Sequence, residues 1–369
     1  MEIKTICSTK KTIGDVIIDI KEQSGDFDAK MAIFFASSKF GAESLSNQLS
    51  QVFEGASVFG CSTAGEIVSG KMLKGSVVLM LFAPEVIADV KLGVVENIRT
   101  ENMVPEVFKN FEDYYKTPMS EMDFKKYVGI ILIDGLSGAE ERLMDKIGNL
   151  TDITFVGASA GDDKIFKETY VYADGKSYTN AALLALIKPA ADFDIIKTQS
   201  FRRFGKKLTA TKVDEANRRV VEFNNQPAAK AYTEALGIPL EDAENHFMTY
   251  PVGLMSGGEP YVRSPQQVQE DGSIVFYCNI IEGMELEILE STDIVEDTRR
   301  DVETKINEIG SISGIINFHC ILRTLELEEK GQVDDYAKIF SDIPTVGFST
   351  YGEEYIGHVN QTSTMLVFK

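Results

Sequence analysis

VFGCSTAGEIVSG, Val58 to Gly70, is an apolar run that breaks at a Gly-Ser-Thr-Gly turn and closes on a carboxylate, Glu66. The segment VGFSTYGEEYIGHVNQT, Val346 to Thr362, repeats it nearly residue for residue. A weaker copy, VGASAGDD, spans Val156 to Asp163. In each, a strand-like stretch runs into Gly-x-Ser followed by glycine and an acid: Gly60, Ser62, Gly65, Glu66; Gly157, Ser159, Gly161 with Asp162 and Asp163; and Gly347, Ser349, Gly352, Glu353. Internal similarity of this kind sets the architecture before any single element is assigned.

The flanks of the first copy supply its layers. KMAIFFASS, Lys30 to Ser38, is a short apolar run bounded by polar residues and reads as a buried strand. FGAESLSNQLSQVF places Leu45, Leu49, Val52 and Phe53 at helical spacing, and Gly55 stops that helix. Ala56 to Gly60 returns as a strand, and SVVLMLFA, Ser76 to Ala83, supplies another. The second copy has the same escort: YVGIILIDG as strand, LSGAEERLMDKIGNL with Leu143, Ile147 and Leu150 on one helical face, and NAALLALI as closing strand. Before it, the acidic segment Asn97 to Lys126 carries Val107, Phe108, Phe111, Tyr114 and Tyr115 on a helical pattern. The last copy follows SGIINFHCILR, Ser313 to Arg323, and ends in STMLVFK.

A fourth, looser copy is VGLMSGGEPYVRS, with Gly253, Gly258 and Glu259 in the motif's first, sixth and seventh places and Ser256 displaced by one. The leading glycines 60, 157, 253 and 347 are then separated by 97, 96 and 94 residues. Such regularity predicts four pseudo-repeats in an α/β protein of two related domains, each of two βαβ-type units with mixed sheets. The chain's 369 residues exceed what one core usually supports. The Lys-Pro segment KPAADFDIIKTQ, Lys188 to Gln199, marks the boundary, giving domains 1–190 and 191–369.

Charge narrows the partners. A net charge of −20, with no basic cluster to offset it, repels phosphate backbones and anionic headgroups, which argues against nucleic acid and membrane surfaces. No apolar run approaches the roughly 18–20 residues of a membrane span, and MEIKTICSTKK lacks the apolar centre of a signal peptide, so a cytoplasmic location is expected. Four scattered cysteines (Cys7, Cys61, Cys278, Cys320) form neither a disulfide framework nor a C-x-x-C pair. Three histidines (His246, His319, His358) argue against a histidine-rich metal site, and no cofactor is expected.

FGCSTAGE, YPVGL with YVRS, FHCILR, and GFSTYGEE with HVNQT, in this order, resemble the FIST family of signal-input proteins, described as an N-terminal followed by a C-terminal FIST domain. The likeness covers essentially the whole chain. It implies a sensory domain proposed to bind small ligands, amino acids among them, and often joined to or encoded near signalling proteins. With two such domains no kinase, cyclase or transcription module is expected in this sequence. Output would then pass through a partner, such as a histidine kinase, or through oligomerisation.

Loops that leave strand ends with glycine and small hydroxyl residues expose backbone N–H groups able to hold a carboxylate or other anion. Ser62, Thr63, Ser349 and Thr350 add hydroxyls, and Glu66 and Glu353 could accept an ammonium group. Arg263 in YVRS and Arg323 after FHC are bidentate partners for a carboxylate. Together they suit a zwitterion, and a pocket between or beside the halves would be lined by Ser62, Thr63, Glu66, Arg263, Arg323, Ser349, Tyr351, Glu353 and His358. The plainer alternative is that these residues only build turns, caps and internal ion pairs, with His358, Asn360, Gln361 and Thr362 as a loop network. A rival from another class is a serine hydrolase: GASAG matches the Gly-x-Ser-x-Gly nucleophile elbow at Ser159, with His319 or His358 as base. The elbow needs a helix straight after the serine, whereas Gly-Asp-Asp-Lys follows. A third reading is a ligand-free scaffold that docks a signalling protein.

Overall fold

Apolar runs without alternation form strands that are covered on both faces. Met31–Ser37 and Val128–Ile133 are buried at every residue, as is Gly314–Cys320. A computed structural model describes residues 2–101 and 103–369. The chain forms two compact units: the first runs to Thr198 and resumes over Arg299–His358 and Ser363–Lys369, and the second comprises Gln199–Thr298 and Val359–Thr362. It leaves the first unit at the end of the Lys188–Gln199 segment.

The first unit is built from three six-stranded mixed sheets, each centred on a parallel pair. These pairs are Met31–Ser37 with Ser57–Thr63, Val128–Ile133 with Phe155–Ser159, and Gly314–Cys320 with Thr345–Thr350. An antiparallel closing strand flanks the first member of each pair: Val77–Phe82, Ala181–Pro189 and Thr362–Phe368. The first motif glycine has one job in all three. It lies opposite Phe34, Ile131 or Asn317, and a Cβ added to Gly60, Gly157 or Gly347 would stand 1.8, 1.7 or 2.0 Å from that partner's carbonyl oxygen.

Each sheet is completed by the hairpin that follows a different copy of the motif. Glu66–Val68, after the first copy, pairs with Thr345–Thr350 of the third. Val171–Ala173, after the second, pairs with Ser57–Thr63 of the first. Glu353–Tyr355, after the third, pairs with Phe155–Ser159 of the second. The three repeats therefore close into a cycle in which none finishes its own sheet.

The inner faces of the sheets share one core containing Phe35, Phe59, Val78, Ile130, Leu132, Val156, Phe318 and Phe348. Phe35, Phe318 and Phe348 meet there with ring centroids 4.6–6.3 Å apart. Full burial of one such ring contributes about 1.5–3 kcal/mol. Helices cover the outer faces. Ile13–Ser24 and Ala42–Val52 lie over the first sheet, with Leu45 and Leu49 against Phe34 and Leu79. Val104–Tyr115 and Glu140–Gly148 lie over the second, with Phe108, Phe111 and Leu143 against Ile131 and Leu184. Over the third lie Ile321–Lys330 and Val333–Lys338.

The expected fourth repeat is not a repeat. Val252–Ser256 turns back on Glu259–Arg263 as an antiparallel hairpin, with Gly257 and Gly258 at positive φ forming its two-residue turn. Gly253 faces the side chain of Leu289 instead of a parallel neighbour's carbonyl. The even spacing arises because the second unit, which holds Gly253, is inserted between the other two copies at Gly157 and Gly347: without Gln199–Thr298 these glycines are about 90 residues apart. The mixed α/β class stands, but among the described residues the βαβ-type units number three and all lie in the first unit.

The second unit is an antiparallel sheet running Glu259–Arg263, Val252–Ser256, Glu285–Ser291, Phe201–Asp214, Arg219–Phe223, Ile274–Phe276, Pro265–Val268, with Gln226–Pro227 beside Arg219–Phe223. Its helix, Ala228–Leu236, follows Pro227 and ends at Gly237, φ 74°, as the proline and glycine positions predict. Tyr232, Phe223, Phe247 and Phe276 fill its core.

Candidate functional site

The motif loops of the first unit hold one another by their serine backbones. Ser62 donates its N–H to Tyr170 O (2.9 Å) and accepts from Gly161 N (3.0 Å). Ser159 donates to Gly352 O (2.9 Å) and accepts from Tyr351 N (3.1 Å). Ser349 donates to Gly65 O (2.8 Å) and accepts from Ala64 N (3.1 Å). The first loop thus grips the third, the second grips the first, and the third grips the second, so the corners meet at one place.

The carboxylate that closes each strong copy is held locally. Thr63 Oγ1 donates to Glu66 Oε1 and Thr350 Oγ1 to Glu353 Oε1, both at 2.5 Å, and both glutamates are fully buried. Glu66 Oε2 also accepts from Ser76 N (2.9 Å) and Ser76 Oγ (2.6 Å). Burial outweighs these bonds and pushes the Glu66 carboxyl up to about 7. In the second copy Asp162 takes over: it accepts from Phe166 N, Lys167 N and Glu168 N, and from Tyr351 Oη at 2.5 Å. Asp163 accepts from Ser37 Oγ, Ser38 N and Ser38 Oγ.

Eight of the nine sequence-nominated residues lie in the first unit, and Arg263 lies on Glu259–Arg263 of the second. Within the first, Ser62 Oγ accepts from Tyr170 N (2.9 Å), Thr63 and Glu66 bind each other, and Tyr351 is tied to Asp162 with its ring stacked on Phe166. His358 Nδ1 lies 2.8 Å from Glu354 Oε1, both side chains buried. Burial opposes the imidazolium, but Glu354, backed by Glu140 and Glu141, outweighs it and shifts His358 upward; burial likewise shifts Glu354 upward. Gly352 leaves the room for that imidazole, since a Cβ there would meet His358 Cε1 at 2.2 Å.

Ser159 is buried and donates to Glu140 Oε1 at 3.2 Å. The residues after it run through a loop to Val171–Ala173 without a helix, so GASAG does not build a nucleophile elbow. The four cysteines are free, and burial raises the Cys61 thiol well above its ordinary range. Among the described residues no group of three or more His, Cys, Asp or Glu is placed to hold a metal ion, and no helix is long and apolar enough to cross a membrane.

One buried polar layer remains, between the third sheet and its helices. Thr324 Oγ1 and the motif's Ser349 Oγ are 2.8 Å apart. Arg323, beside Thr324 on the helix, is 1% exposed and bonds to the Tyr336 hydroxyl, whose ionisation burial opposes. Asn317 Nδ2 donates to Tyr336 Oη (3.1 Å), Ser363 Oγ donates to Asn317 Oδ1 (2.7 Å), and Tyr336 Oη and Ser363 Oγ are 3.3 Å apart. The His319 ring lies 4.5 Å from that of Tyr336, and neither of its nitrogens has a hydrogen-bond partner among the described residues. Burial, then the Arg323 charge, keep this imidazole neutral. An unsatisfied buried polar group costs about 1–3 kcal/mol, so this side chain needs an explanation. Sequence reasoning found Arg323 and Ser349 but not the layer. Its signal is the alternation of Asn317 and His319 with apolar residues in a strand buried on both faces.

Two family patterns match the chain in series: the FIST N domain over residues 30–226 and the FIST C domain over residues 228–355. An uncharacterized protein of Methanocaldococcus jannaschii is similar to it, 22% identical over 284 residues, which are 70% of this chain and 54% of that protein. The chain spans about half the length of this relative.

Proposed function

The chain belongs to the FIST family, and from that premise we propose that it is a signal-input protein whose first unit binds a small zwitterion or anion, an amino acid being the leading class. FIST domains are sensory domains of signal transduction rather than catalytic ones. The observation that carries the ligand reading is the buried Arg323 guanidinium, which bonds to the Tyr336 hydroxyl and acts on the His319 imidazole, unpartnered among the described residues. A buried cation of this kind is the natural counterpart of a carboxylate. Ser62, Thr63, Glu66, Tyr351, Glu353 and His358 belong to this reading as the frame that fixes the loops; Arg263 would act within the second unit.

A thermal-shift screen of the full chain against amino acids and small carboxylates tests it. A compound at a hundred times its dissociation constant adds about 2.7 kcal/mol. Absence of any stabilising compound removes the reading.

A docking role, with a signalling protein such as a histidine kinase as partner, has one observation in its favour. The loop after the second motif presents Ile165 and Phe166 to solvent, 65% and 59% exposed, while Asp162 and Asp163 are turned inward.

A further inference from the structure

The three repeats act as controls for one another. Aligned on the motif glycine, Phe34, Ile131 and Asn317 are equivalent, each opposite that glycine in the parallel pair. Two residues on, Ala36, Ile133 and His319 are equivalent, each opposite a motif serine. Across the antiparallel ladder their partners are Val77, Ala182 and Ser363. Three neighbouring positions that are apolar in the first and second repeats are thus Asn, His and Ser in the third. The next partner stays apolar in all three, as Leu79, Leu184 and Met365, so the exchange is confined to one patch.

The covering helices change in step. Leu45 and Leu49 cover the first patch and Leu143 the second, whereas Tyr336 and Arg323 meet the third. Packing alone did not require this, because the same fold closes twice over with hydrocarbon. Within the patch Asn317, Tyr336 and Ser363 satisfy one another. His319 does not: it is wholly buried, with both nitrogens unpartnered among the described residues.

We propose that the outer layer of the third repeat, centred on His319 with Arg323, Tyr336, Asn317 and Ser363, is a binding site for a small carboxylate-bearing molecule. This rests on the sensor reading and gives it a place and a chemistry. A neutral imidazole offers one N–H donor and one lone pair, which match the carboxylate and the ammonium of an amino acid. Arg323 acts electrostatically on both His319 and Tyr336 and bonds to the Tyr336 hydroxyl, so positive charge lies beside the imidazole and favours a carboxylate over a cation. Since the layer is closed, binding requires the short helix Val333–Lys338, which carries Tyr336, to lift. Only a compact molecule then fits beneath it.

The test uses the full chain labelled with 15N-histidine, in which three imidazoles give resolvable signals. Acetate and glycine are titrated, with methylammonium as the cationic control. Acetate and glycine should move the His319 ring signals saturably and leave those of His246 in place, while methylammonium moves none of them. His319→Ile, which installs the second repeat's residue, should weaken acetate and glycine binding by about tenfold or more. Unmoved His319 signals with both acetate and glycine overturn the proposal, whether or not that variant folds. If acetate or glycine stabilises the wild type and the variant alike, this site is wrong while the sensor reading survives; if the wider amino-acid screen also yields nothing, both fall.

Discussion

Ser349 donates its backbone N–H to the carbonyl of Gly65, a residue 284 positions earlier in the chain. The bond joins the third motif loop to the first, and its counterparts at Ser62 and Ser159 complete a closed set of three. Glycine and serine recur at the corners because each corner has two partners to accommodate: a parallel neighbour's carbonyl against the glycine and another loop's backbone against the serine. A ligand that moves the third corner would therefore disturb the other two through hydrogen bonds already in place.

Gly60→Ala should be among the most destabilising small substitutions in the first unit. Its Cβ would lie 1.8 Å from Phe34 O, which is backbone within a sheet and cannot step aside. Overpacking of this kind costs about 3 kcal/mol or more. Gly14→Ala, in the helix Ile13–Ser24 with open space around the added methyl, should instead stabilise by about 0.5–1 kcal/mol. Thermal melts of the two variants check the contrast; equal melting temperatures would contradict the close-approach account.

The motif glycine also shows how far the sequence could be read. Strands such as KMAIFFASS and helices such as Ala42–Val52 were legible because burial on two faces gives unbroken apolar runs and burial on one face gives helical spacing. Gly253 misled because spacing records chain length and not strand direction, and the second unit is about as long as one repeat. The hairpin exchange was out of reach for a related reason: nothing local in Glu66–Val68 specifies a partner near Val346. At the candidate site, residue types were right for hydrogen bonding, but sequence could not tell that Thr63 and Thr350 spend their hydroxyls on Glu66 and Glu353.

Stability should fall with rising pH through the titration of Glu66. Its folded pKa, about 7, lies above the ordinary 4.5, so the native state binds the proton more tightly than the unfolded chain. The favourable contribution is complete below about 4.5 and is lost as pH rises to 7, amounting to the order of 3 kcal/mol. Glu66→Gln, which cannot ionise, should flatten this part of the profile. Melting temperatures of wild type and variant at several values between pH 4.5 and 8 give the comparison; parallel profiles would remove Glu66 as the source.

Tyr336→Phe should cost about 1–3 kcal/mol, since it strips a partner from the buried Asn317, Ser363 and Arg323. Combining it with Asn317→Leu and Ser363→Val, which restore the apolar character of the sister repeats, should recover much of that loss. The cost of an unmade hydrogen bond disappears when both partners become apolar. Urea unfolding of the single and triple variants decides it. A triple variant as weak as the sum of its parts would mean that the polar layer is needed for packing, not specialised for binding.

The loop after the second motif separates shape from surface. Asp162→Ala removes the acceptor of three backbone N–H groups and of Tyr351 Oη, and should destabilise by about 2–3 kcal/mol while freeing the loop. Phe166→Ser should change stability by less than about 0.5 kcal/mol, because the ring is mostly exposed even though it stacks on Tyr351 at 5.0 Å. If this loop docks a signalling protein, both substitutions abolish the association, one by losing the loop's shape and the other by losing its apolar tip. Association measured with purified partner and each variant tests that, with melting temperature as the control. Binding that survives Phe166→Ser but fails with Asp162→Ala would assign the contact to the loop's backbone or to Tyr351 instead of the exposed ring.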